Sequence, residues 1–149
     1  MKILKVLGFI AIAVLVFFAV YITNQQINPQ EVSREVQFGY QDGDQPERIN
    51  FEKVYSDIED QSVIDNTMMI FMHKETSDEE MSDVEPDMHI WVSSPTQSAV
   101  LIESRIWFTE QGAIIGERAG ESWDQVEYFE INEQDAAYLK EQGGYDESL

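Results

Sequence analysis

The chain has 149 residues, no cysteine, and 29 acidic against 9 basic side chains, for a formal net charge of −20. That length suits one domain of ordinary size. The acidic excess excludes a general nucleic-acid binder, because phosphate neutralisation needs Lys and Arg. The lack of cysteine excludes disulfide scaffolds, thiolate zinc sites, iron–sulfur ligation and thiol nucleophiles.

The first element reads as a membrane anchor. Lys2 and Lys5 lead into an uncharged run from Val6 to Ile22, extended upstream by Ile3 and Leu4. Ile3 to Ile22 spans 20 positions, interrupted only by Lys5, whose stem can snorkel to the headgroups. At about 1.5 Å per residue this run reaches roughly 30 Å, the thickness of a hydrocarbon core. A cleavable leader has a shorter apolar region and small residues at its cut. Here the run ends in Ala19-Val20-Tyr21-Ile22-Thr23, so residues 1–23 are expected to form an uncleaved cytoplasmic N-terminus and signal anchor. Both flanking bases precede the span, which directs the N-terminus inside and residues 24–149 outside a bacterial cytoplasmic membrane. The exported part carries 7 basic and 29 acidic residues, a charge of −22.

Residues 24–34 read as a stalk, with Asn28-Pro29-Gln30-Glu31 composed like a helix start. Val36, Phe38 and Tyr40 alternate as in a strand, and residues 41–46 are a turn by composition. Phe51, Val54, Tyr55 and Ile58 fall at i, i+3, i+4 and i+7 behind Asn50, which predicts a helix near 50–60. From Val63 onward β-branched and aromatic runs predict strands at 63–74, 87–93, 99–109, 112–118 and 124–131. The short breaks between the last four predict an antiparallel meander. Within 99–109, Val100, Ile102, Ile106 and Phe108 share one face; Leu101, Glu103, Arg105 and Trp107 share the other. Asn132 caps a final helix near 132–142, Gly143-Gly144 stops it, and 145–149 form a tail. The expected fold is α+β: a transmembrane helix, then one β-rich domain at 35–144. Its core is a mostly antiparallel curved sheet of about 5–6 strands, with helices near 50–60 and 132–142.

The segment Trp107-Phe108-Thr109-Glu110-Gln111-Gly112-Ala113-Ile114-Ile115, then Ser122-Trp123-Asp124-Gln125-Val126 and a closing helix, resembles the C-terminal half of bacterial PH-like domains. The resemblance covers residues 99–142 and includes no catalytic motif. It implies a curved antiparallel sheet plugged by a last helix, in a fold that mostly binds partners.

Candidate chemistry is sparse. His73 and His89 each follow a methionine, and with Asp87 they form an alternative metal set, Cu(I) being the soft candidate. Alternation along a strand turns sulfur and imidazole opposite ways, which favours core methionines and rim histidines. Asp87 and His89, two apart on a strand, could orient a general base, but no serine sits in a nucleophile elbow. A hydrolase built from scattered carboxylates is the enzymatic alternative. Residues 75–87 hold seven carboxylates and no base, a composition that predicts a solvated, self-repelling loop. Its functional reading is a docking loop for a basic protein through Asp78, Glu79, Glu80, Asp83 and Glu85, with Trp123 on the neighbouring sheet edge. Calcium is the other oxygen-ligand alternative, there or at Asp42-Gly43-Asp44 with Glu47, but neither run has calcium-loop spacing. The leading expectation is therefore a membrane-anchored interaction domain without catalysis, cofactor or nucleic acid, whose partner is another protein.

Overall fold

The computed structural model describes residues 12–18, 31–45 and 47–146. Residues 12–18 are helical; the rest of the expected anchor, and stalk residues 24–30, lie outside the described residues. Among the described residues no helix is long and apolar enough to cross a membrane. Two units divide at residue 31, and the second, Val32–Leu149, holds the sheet.

That unit runs β1 (Glu35–Gln41), β2 (Ile49–Ser56), α1 (Gln61–His73), β3 (Glu75–Thr76), β4 (Met88–Ser94), β5 (Ala99–Thr109), β6 (Gly112–Arg118), β7 (Val126–Asn132) and α2 (Glu133–Gly143). The strands form one sheet in the order β2-β1-β4-β5-β6-β7-β3, every pair antiparallel. The α+β class and the β4–β7 meander match expectation. The hairpin turns are the ones composition marks. At the β5–β6 turn Gly112 has φ +150°, and a Cβ there would stand 1.9 Å from the Ile131 carbonyl oxygen, so only glycine fits.

Two expected elements are overturned. Residues 50–60 are not a helix; 49–56 are the edge strand β2. The misleading i, i+3 spacing comes from a bulge. Phe38 pairs with Lys53 but Gly39 pairs with Phe51, which leaves Glu52 as the extra residue. The bulge puts Phe51 and Val54 on one side of the sheet although they are three apart, as a helix would. Conversely, 63–74 is not a strand but most of helix α1. Val63, Ile64, Thr67, Ile70 and Phe71 are its buried stripe at 3.6-residue period, while Met69 and Met72 face outward. Five of its thirteen residues are β-branched or aromatic, and that strand-like composition is outweighed by the tertiary burial of one helical stripe.

Both helices pack on the same face of the sheet. Val36 and Phe38 of β1, Met88, Ile90 and Val92 of β4, Ile106, Ala113, Ile115 and Ile131 meet Ile64, Phe71, Ala136 and Leu139 there. Asn132 caps α2 as expected, accepting from Asp135 N at 3.0 Å. The other end is held by tyrosines: Tyr40 Oη donates to the Gly143 carbonyl and Tyr55 Oη to the Gln142 carbonyl, both at 2.9 Å. These bonds occupy carbonyls a helix end leaves unpaired. Burial, then Glu52 and Tyr145, push the Tyr40 phenol up to about 12, so it remains a donor. Tyr145 packs against Tyr40 and Phe108, with ring centroids 6.5 and 4.7 Å apart, and so belongs to the packed domain.

Candidate binding cleft on the helix-free face

The opposite face carries no helix, and its side chains differ in kind. Register places one row across six strands: Phe51, Gly39, His89, Arg105, Gly116 and Tyr128. A Cβ on Gly39 would stand 2.7 Å from the Phe51 ring, and one on Gly116 2.9 Å from the Trp107 ring. The two glycines thus leave room for aromatic rings to lie flat on the sheet. Phe51 meets Trp91 at 4.7 Å on one side, and Trp107 meets Tyr128 at 6.1 Å on the other. Between these aromatic pairs, His89 and Arg105 stand directly opposite one another on β4 and β5.

Above that pair lies a cleft of about 610 Å³, with His89, Glu103 and Arg105 in its lining. Residues 82–86 line one side of it, Trp123 another, and Glu47 and Ile49 a third. The 77–87 connection is not the free solvated loop that its charge suggests. Ser77 N donates to the Tyr128 carbonyl at 3.0 Å, and the Trp107 indole N–H donates to the Val84 carbonyl at 2.9 Å. Trp107 is therefore only 3% exposed although no helix covers it.

The electrostatics of the floor are unusual for a surface. His89 is 5% exposed and its Nδ1 has no partner. Burial first, and the Arg105 charge second, hold it down to about 4, so its ring is neutral at neutral pH. Arg105 has its guanidinium 3.8 Å from the Trp123 ring centroid, a cation–π stack. Its Nε also lacks a partner, as does Trp91 Nε1; every buried side-chain nitrogen without a partner, among the described residues, lies on this face. Glu103 pairs with Arg118 at 2.8 Å and acts on Arg105 through its field alone, favouring the charged guanidinium. Burial lowers Arg105 from its ordinary value, yet a guanidinium keeps its charge at neutral pH.

The structure gathers some of the residues singled out in the sequence and scatters others. Asp83, Glu85, Trp123 and His89 line this one cleft. Asp78 and Glu80 line a separate groove beside β7. Glu79 and His73 line a cavity of about 280 Å³ with Glu75, Glu130 and Asp135. Asp87 precedes β4 and does not join His89. Its Oδ2 accepts from Phe108 N at 2.7 Å and its Oδ1 from Tyr145 Oη at 3.3 Å, a structural clamp. Among the described residues no three His, Asp or Glu side chains converge on a point able to hold a metal ion, so His73, Asp87 and His89 do not form such a set. The Asp42 carboxylate is occupied by its own turn, accepting from Asp44 N at 2.9 Å and Asn50 Nδ2 at 3.0 Å; these bonds hold it below the usual carboxylate range.

Sequence reasoning missed Arg105 as a site residue. Its signal was present: an arginine beside Trp107 on the strand face opposite Ile102 and Ile106 needs a reason to be there. Comparison with known protein families, with characterised proteins and with solved structures finds no match to this chain.

Proposed function

We propose that this chain is a single-pass, membrane-anchored binding domain without catalytic chemistry of its own, working at the outer face of a bacterial cytoplasmic membrane through the helix-free face of its sheet. The anchor rests on the 20 positions from Ile3 to Ile22 and on the bases that precede them. The observation that carries the binding role is the cleft over His89 and Arg105, where a buried, unpartnered imidazole and an unpaired guanidinium lie beneath an acidic rim. Buried polar groups left unsatisfied within a fold are costly, and a partner that satisfies them recovers that cost on binding. The rim acids add a field that steers encounter with the partner protein.

A photo-reactive amino acid in place of the exposed Glu85 tests this in intact membranes, with Gln134 on α2 as the control position. A discrete cross-linked protein from position 85 and none from 134 is expected. No adduct at 85, or the same adducts from both positions, overturns the interaction reading. Mass spectrometry of the same membranes should find the N-terminal region intact; a dominant soluble form starting near residue 20–28 overturns the anchor.

A further inference from the structure

The acidic rim on its own suits a cation, but the floor does not. Arg105 projects into the cleft with a full positive charge and, among the described residues, no carboxylate bonded to it. The Arg105 guanidinium can only donate, so the floor calls for an acceptor. A simple anion meets the opposite difficulty, since Glu47, Asp83 and Glu85 stand around the opening. Both conditions are met by a ligand that carries its two charges close together. The volume of about 610 Å³ falls within the range of pockets for small molecules, roughly 300–1,000 Å³.

We infer that the cleft binds a small zwitterion of the amino acid or short-peptide class, its carboxylate on Arg105 beside the buried, unpartnered His89 and its ammonium toward Asp83, Glu85 and Glu47. The inference rests on the binding reading above and adds to its protein partner, met at the rim, a small ligand seated on the floor of the same cleft. Arg105 supplies a planar fork of donors matched to a carboxylate. The flat Trp123 ring holds that fork in place and reduces the freedom lost on binding. His89 contributes at Nδ1 as a neutral ring, which accepts or donates by tautomer. Glu103 is bonded to Arg118 and makes no ion pair with the guanidinium, although its field reaches it.

The test uses the full chain in detergent micelles, with diglycine as probe and two blocked relatives: diglycinamide, which lacks the carboxylate, and N-acetyl-diglycine, which lacks the ammonium. Nitrogen-resolved NMR reads the Arg105 Nε–H and Trp123 Nε1–H signals during titration. Diglycine should shift both in a saturable way, and each blocked relative should bind about tenfold or more weakly. R105Q removes the Arg105 signal itself and should abolish the saturable Trp123 Nε1–H shift, while lowering the melting temperature only by the few degrees that loss of the Trp123 stack costs. Equal binding of diglycinamide, or no shift by about 10 mM diglycine, overturns the zwitterion inference. The cross-link from position 85 is read independently. If it persists while diglycine fails, the binding domain stands with a different ligand; if it too is missing, the broader reading falls with it.

Discussion

The two faces of one sheet divide the labour of this domain. Alternate residues of the same strands point to opposite sides, so β4 sends Met88, Ile90 and Val92 to the helices and His89 and Trp91 away from them. The covered face is hydrocarbon sealed by α1 and α2. The other is aromatic and titratable, and it is covered in part, by the 77–87 connection on Trp107 and by the Trp123 ring on Arg105. A fold whose helices seal one face can hold costly groups on the other. The unpartnered nitrogens of His89, Trp91 and Arg105 are such groups, buried on the helix-free face.

The largest effects should come from removing bulk, and they put the two faces on one scale. Phe38 is fully buried under the helices and Trp107 is 3% exposed beneath the acidic connection. Truncation of either to alanine should cost about 3–5 kcal/mol in denaturant unfolding. Only Trp107→Ala should also release the Val84 carbonyl and raise amide exchange across residues 77–87. Equal protection of that segment in both variants would break the comparison, because the connection would then owe nothing to Trp107.

Acid titration sharpens it. His89 sits at about 4 in the folded chain against an ordinary 6.5, so the unfolded chain takes up the proton first as pH falls. Stability is full above 6.5 and drains as pH drops toward 4. The loss is on the order of 3 kcal/mol, and His89→Asn should flatten that part of the profile. The carboxylates of Asp42 and Asp57 are held low by their hydrogen bonds and act only below their ordinary 3.8, in a separate window. An unchanged slope between 6.5 and 4 in the variant would show that His89 titrates freely and that the floor is wetter than its burial indicates.

The covered face has one polar orphan of its own. Thr67 on α1 is fully buried and its hydroxyl has no partner among the described residues. Thr67→Val keeps the shape and removes that group, so it should gain about 1 kcal/mol. A loss instead would indicate an internal water bonded to the hydroxyl.

Much of this arrangement was legible in the sequence where structure is local. The meander from β4 to β7 follows from alternation and short turns, and α2 from the Asn132 cap and the Gly143-Gly144 stop. The failures share one cause, a local period altered by a partner elsewhere. A bulge against Gly39 gave β2 a helical spacing, and α1 holds β-branched residues because the sheet buries them. The cleft was half legible. His89, Trp123 and the acids were marked by residue type, but pairing His89 with Arg105 needs the β4–β5 register across a bulge between Val92 and Ser93. No spacing along the chain encodes that register.

The smallest expected stability effect is the most telling one, because Trp123 belongs to the open face without supporting it. It sits half-buried in the 119–125 turn, where Ala119 N donates to the Gln125 carbonyl at 2.9 Å and closes the turn without the indole. Its one strong contact is the Arg105 guanidinium, a stack worth roughly 0.5–1 kcal/mol at a partly exposed site. Trp123→Ala should therefore lower stability by less than about 1 kcal/mol, several-fold less than Trp107→Ala. With the ring gone the guanidinium loses its platform, and diglycine binding should weaken several-fold; Trp123→Phe, which restores a flat face, should recover most of it. A cost of several kcal/mol for Trp123→Ala would mean that the turn and its ring are core, and the open face would then be a second stabilising layer. Unchanged binding in a stable Trp123→Ala variant would instead detach the tryptophan from the site, leaving Arg105 and His89 to hold the ligand alone.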